Sequence, residues 1–139
     1  MKELVIERVL NAPVSIVWKA ISDNSEMKKW YFQISSFVAK TGHEFTFDGG
    51  PPEKVYVHLC KVTEVINEKK LSYTWSYKGY HGESLVTWEL FPEGSNTRIR
   101  LTHSGLETFP SIPDFARNNF EQGWNHIIGI SLKKFVEKK

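Results

Sequence analysis

Apolar and polar positions change period twice along this chain, and the changes mark its elements. Leu4, Ile6 and Leu10 share one parity and Val5 and Val9 the other, which predicts a first strand over 4–10. Asn11-Ala12-Pro13 ends it, and Pro13 suits the first turn of a helix, where a missing N–H costs nothing. Val14, Val17, Trp18 and Ile21 then fall at helical spacing, predicting a short helix over 13–22. Asp23-Asn24-Ser25 breaks it, and Asn24 or Ser25 is expected to cap a second short helix reaching Lys29-Trp30.

Beyond that point the period is two. Phe45 and Phe47 alternate with polar neighbours from Gly42 to Asp48, and Asp48-Gly49-Gly50-Pro51-Pro52 reads as a loop. A long strand follows from Val55 to Ile66, then a polar turn at Asn67-Glu68-Lys69-Lys70. Leu71, Tyr73, Trp75 and Tyr77 alternate with Ser72, Thr74 and Ser76, the cleanest alternation in the chain. Val86, Trp88 and Leu90 repeat the pattern, Pro92 to Asn96 turns, and Ile99 and Leu101 alternate with Arg98, Arg100 and Thr102. Connections this short demand antiparallel neighbours, because parallel ones need long crossovers.

Ser104 to Pro113 reads as a loop holding Phe109, and Asp114 as the N-cap of one long helix over 114–136. Projected at about 100° per residue, Phe120, Ile127, Ile128 and Phe135 lie within roughly 60° of Trp124, with Leu132 and Ala116 at the margins. Gly123 beside this stripe is expected to allow close approach to the sheet. Arg117 and Ser131 project near the stripe centre and Glu121 at its edge, and polar groups there need partners, water or a cavity. Arg117 can instead snorkel past the first turn into solvent. The economical architecture is α+β in two layers. A strand, two small helices, six or so antiparallel strands and a long helix make a curved sheet gripping that helix.

Composition narrows the function classes. The 139 residues suit a single domain over 1–139. A formal charge of +2 argues against a nucleic-acid partner, and no apolar run approaches the ~18 residues that span a bilayer. Met1-Lys2-Glu3 brings charge too early for a signal peptide, so a soluble cytoplasmic protein is expected. The lone Cys60 excludes an intrachain disulfide and a cysteine-rich zinc site. His58 near Cys60 reads as two half-buried strand residues rather than a nucleophilic pair. His43, His81, His103 and His126 are scattered, so no metal and no cofactor is expected, and no phosphate-cradling or nucleophile-elbow motif occurs. Aromatic content of 14% is high, and points to a dense core or a ring-lined pocket.

Asn11-Ala12-Pro13-Val14-Ser15-Ile16-Val17-Trp18-Lys19-Ala20 with Met27-Lys28-Lys29-Trp30 resembles the opening of the AHSA-type proteins. These are homologues of the C-terminal domain of the activator of Hsp90 ATPase, in the START-like, SRPBCC superfamily. Leu71 to Trp75, Ser84 to Leu90, Thr97 to Gly105 and Gly123-Trp124 are similar to the later strands and closing helix of that family. The resemblance implies a helix-grip (START-like, Bet v-like) fold. It also implies a cavity between sheet and helix for an apolar or lipid-like small molecule, without assigned catalysis. Trp30, Phe45, Phe47, Trp75, Trp88, Phe109, Phe120, Trp124 and Ile128 are candidates to line that space, although for any single aromatic a place in the core is the better reading. Arg117, Glu121 and Ser131 are the candidate polar contacts, with a carboxylate on the ligand satisfying Arg117 and an internal Arg117–Glu121 pair as the alternative. A chaperone-interaction module and a cyclase- or aromatase-like enzyme are the other readings. Because the chain begins directly at the first strand, no stimulation of Hsp90 ATPase is expected.

Overall fold

The alternation read from the sequence becomes six antiparallel strands in a computed structural model that describes residues 3–32, 34, 36–49 and 54–138. They are β1 (Leu4–Leu10), β2 (Glu44–Gly49), β3 (Tyr56–Ile66), β4 (Lys70–Tyr77), β5 (Ser84–Glu93) and β6 (Asn96–Ser104), in the order β1-β6-β5-β4-β3-β2. Five strands follow the small helices, so six is the total rather than the number after them. The loop expected from Asp48 begins later, since Asp48 and Gly49 pair with Val57 and Tyr56; Gly50, Pro51 and Pro52 lie outside the described residues. Pro92 is likewise paired, opposite Thr97, and the β5–β6 turn shrinks to Gly94-Ser95 with Gly94 at φ 64°.

One face of the sheet is apolar. On β6 the inward parity runs Thr97, Ile99, Leu101 and His103, all buried, while Arg98 and Arg100 face out. There Glu7 accepts from Arg100 at 2.5 Å, and Arg98 pairs with Glu93 at 3.1 Å. Opposite-charge neighbours on an exposed face add little stability but keep the edge soluble.

α1 (Val14–Ser22) and α2 (Asn24–Trp30) cover one end of the inner face. Pro13 stands just outside α1 as its N-cap, and Asp23 caps α2 by accepting from the Glu26 N–H at 3.1 Å. Asn24, expected as the cap, accepts from the Phe37 N–H instead.

The final helix departs most from expectation. Pro113–Phe115 forms a separate 3-10 turn, Ala116 is extended, and α3 (Arg117–His126) starts only then. A π segment, Ile127–Leu132, separates it from α4 (Lys133–Glu137). The buried positions are Phe120, Trp124, Ile128, Leu132 and Val136, every fourth residue. On an ideal α-helix four such steps would swing the face by about 160°. A wider π turn advances less per residue and brings Leu132 and Val136 back onto the sheet. The uninterrupted projection therefore misplaced the stripe. Leu132 and Val136 are core, and Ile127 and Phe135 are only half-buried. Glu137 fastens the far end by accepting the Asn11 backbone N–H at 2.8 Å.

Candidate functional site

The sheet–helix interface is mostly filled by rings. Trp88, Tyr73, Phe45, Ile128 and Leu132 are all but inaccessible, and Trp88 meets Trp30 and Trp124 edge-on at 6.3 and 5.6 Å. Each indole N–H buried there needs an acceptor. Trp88 donates to the Tyr73 hydroxyl at 3.0 Å, which also contacts Tyr31 Oη at 3.0 Å; Trp75 donates to the Tyr77 hydroxyl at 2.9 Å, and Trp30 to the Ala20 carbonyl at 2.8 Å.

The deepest polar chain has a fixed direction. Trp124 Nε1 lies 3.0 Å from His103 Nδ1, His103 Nε2 lies 2.8 Å from Ser84 Oγ, and Ser84 Oγ lies 2.8 Å from the Trp75 carbonyl. An indole N–H only donates and a carbonyl only accepts. His103 is therefore the neutral Nε2–H tautomer, donating to Ser84, which donates to Trp75. Burial drives its pKa down to about 3. A nucleophilic serine needs its histidine to accept, so this Ser–His pair runs the wrong way for hydroxyl activation and works as a strut.

Packing is incomplete at one end, where β3 and β4 meet the first turns of α3. A cavity of about 150 Å³ lies among Phe32, Trp75, Tyr77, Phe120, Trp124 and Ile127. It shares Tyr77, Asp114, Asn119 and Gly123 with an adjoining space of about 390 Å³ beside Tyr56, His58 and Phe115. Together they form one cleft. A Cβ placed at Gly123 would meet nothing within 4 Å, so the glycine leaves the mouth open; the close approach expected of it does not occur.

The cleft carries few polar groups, each positioned by its strand or turn. Tyr77 accepts from Trp75, which leaves its own hydroxyl proton for a partner in the cleft. Burial pushes its pKa well up, so the phenol stays protonated. His58 stacks on Phe47 at 4.4 Å and contacts the Tyr56 carbonyl through Nδ1 at 3.0 Å. Burial lowers its pKa to about 4. Asp114, expected as a helix cap, instead accepts from the Tyr56 hydroxyl and ties the 3-10 turn to β3. Asn119 donates to the Pro113 carbonyl at 2.7 Å and keeps its Oδ1 for another donor.

The residues expected to line a ligand space are thus dispersed. Trp75, Phe120 and Trp124 border the cleft. Phe45, Trp88 and Ile128 are core, Phe47 lies beneath His58, and Phe109 packs beyond Tyr77 at 5.2 Å. Trp30 and Ser131 border a separate groove between α2 and the final helix. Glu121 is exposed. Arg117 does not point inward: it is the first residue of α3, and its guanidinium donates to the Glu3 carbonyl at 3.2 Å. Arg117 sits at the first position of α3 and reaches past the helix end, Glu121 lies at the stripe's exposed edge, and Ser131 falls in the π segment, where an α-helical projection does not hold. Tyr77 and His58 were legible, since they share strand parity with Trp75 and Cys60; Asn119 and Gly123 flank the stripe at a spacing of four.

A twisted antiparallel sheet wrapped on one C-terminal helix, with a cleft at one end of their interface, defines the helix-grip class. Residues 11–137 match the family described as activator of Hsp90 ATPase homolog 1-like protein, and the chain belongs to that family. Among solved structures, MLL2253 from Mesorhizobium loti is 25% identical with a TM-score of 0.82, over 99% of this chain and 98% of that one. BH1534 from Bacillus halodurans is 26% identical with a TM-score of 0.77, over 98% and 97%. DynU16, from the dynemicin biosynthetic locus, shares the fold at 23% identity and a TM-score of 0.80; the chain covers 48% of its length. No curated protein matches the sequence.

Proposed function

We propose that this protein binds a small, neutral, mostly aromatic molecule in the cleft between β3–β4 and α3. The observation that carries this reading is the ring-lined opening at Trp75, Phe120 and Trp124 with the Tyr77 hydroxyl and Asn119 Oδ1 at its edge. Apolar walls with few directed polar groups are what small-molecule sites present. Neutrality follows from Asp114 on the rim and from Arg117, the expected partner of an acid, being engaged with Glu3 at the start of β1. The space of about 390 Å³ beside the inner cavity limits the ligand to one or two fused rings. A chaperone-facing role rests on the family description alone and gains nothing from the cleft.

The test uses 2-naphthol as probe, read by melting temperature and by quenching of Trp75 and Trp124 fluorescence. Saturable quenching and a rise in melting temperature of several degrees are expected. Gly123→Leu fills the open mouth from an exposed helix position and should abolish both effects while leaving the unliganded melting temperature unchanged or higher. No response in the wild type, or an equal response in Gly123→Leu, overturns the reading.

A further inference from the structure

A second concavity lies further along the final helix, toward its C-terminal end. α2 and the C-terminal end of that helix enclose an open groove of about 830 Å³, within the size of small-molecule sites. Its floor is apolar: Trp30, half-buried Phe135, and Ile130, which stays 46% exposed. Ile130 extends the apolar floor between these two rings and the cationic rim. The rim is cationic, with Lys29 from α2 and Lys134 and Lys138 from the final helix. Among the described residues no acidic side chain borders the groove, and none of these three lysines forms an ion pair. Other lysines do pair: Lys70 with Glu64 at 3.0 Å and Lys133 with Glu137 at 2.7 Å. The π segment contributes, because Ile130 and Ser131 belong to it.

We infer that this groove is a binding site for a free single-chain anionic amphiphile, such as a long-chain carboxylate. The apolar body lies on Trp30, Ile130 and Phe135, and the anionic head meets the ammonium groups at the rim. Three unpaired cations around an apolar trench complement that combination of charge and shape. A concave trench suits a single chain better than a membrane surface, which a convex basic face would contact.

The experiment titrates laurate, below its micelle concentration, into the full-length protein by calorimetry, with backbone amide shifts locating the contact. Saturable binding with shifts at Lys29, Ile130 and Lys134 is expected. The triple change Lys29→Gln, Lys134→Gln, Lys138→Gln alters only exposed positions and should weaken laurate by about tenfold or more. Dodecanol, which lacks the anion, should bind equally weakly to both proteins. Gly123→Leu should leave laurate binding intact, which separates this groove from the cleft. Equal laurate affinity in wild type and triple variant overturns the inference. So do loss of laurate binding in Gly123→Leu, absence of binding to free laurate, and binding confined to anionic vesicles or to an acidic peptide.

Discussion

Trp124 donates its indole N–H to Nδ1 of His103 at 3.0 Å, joining the final helix to the inward face of β6 through two buried rings. The bond holds the helix in register and sets the direction of every proton in the chain beyond it. Trp124→Phe keeps most of the ring contact with Trp75 and Trp88 but orphans Nδ1, and should cost about 1–3 kcal/mol in urea unfolding. Trp124→Ala also opens a cavity and should cost about 3–5 kcal/mol. No loss in Trp124→Phe beside a large loss in Trp124→Ala would show that the hydrogen bond contributes nothing.

Acid should destabilise the protein well before its carboxylates titrate. His103 and His58 have folded pKa values of about 3 and about 4, both lowered from 6.5 by burial. Between 6.5 and those values the unfolded chain binds protons that the folded chain does not, so stability rises with pH in that window. It is complete above about 6.5 and lost as pH falls, at roughly 1.4 kcal/mol per pH unit for each ring. Urea titrations at about pH 7, 6 and 5 should show this slope, and His103→Gln should make it shallower while lowering neutral stability. A flat profile over that range would contradict the buried neutral assignment.

The π segment makes a prediction that an α-helical wheel reverses. Leu132 is fully buried whereas Ile127 is half-buried, although the wheel puts Ile127 within about 60° of Trp124 and Leu132 at the margin. Leu132→Ala should cost about 2–5 kcal/mol and Ile127→Ala clearly less. The opposite order in thermal or chemical unfolding would mean the helix runs as α throughout.

Tyr56 and Asp114 form the tie between β3 and the turn that precedes α3. Tyr56→Phe removes it, and should cost about 1–2 kcal/mol. Amide exchange at Phe115 and Ala116 should quicken more than exchange at Leu132. Uniform quickening across the chain would show the tie is not local.

Strand content was legible because parity is a local property: Leu71 to Tyr77 declares its buried face from alternation alone. The cleft was partly legible, since Trp75 and Tyr77 share that parity and Phe120 and Trp124 share a helix face. What the sequence does not carry is the destination of long polar side chains. Arg117 finds its acceptor at Glu3, at the opposite end of the chain, and Asp114 finds Tyr56 on β3. The winding of the last helix was hidden for a related reason. A buried residue at every fourth position reads as a drifting stripe until the sheet it follows is known.

The strand order has a kinetic consequence. From β2 to β6 each strand lies beside its neighbour in sequence, so those hairpins close over short loops. β1 alone must pair across nearly the whole chain, Leu4 opposite His103, and it does so on the far edge of the sheet. Loop closure of that length is the slow, late event, and the meander can form its nucleus before it. Ile6→Val on β1 should then accelerate unfolding with little change in the folding rate, whereas Val86→Ala in the meander should slow folding. The first seven residues to take strand form in the sequence are, on this topology, the last to be committed in time.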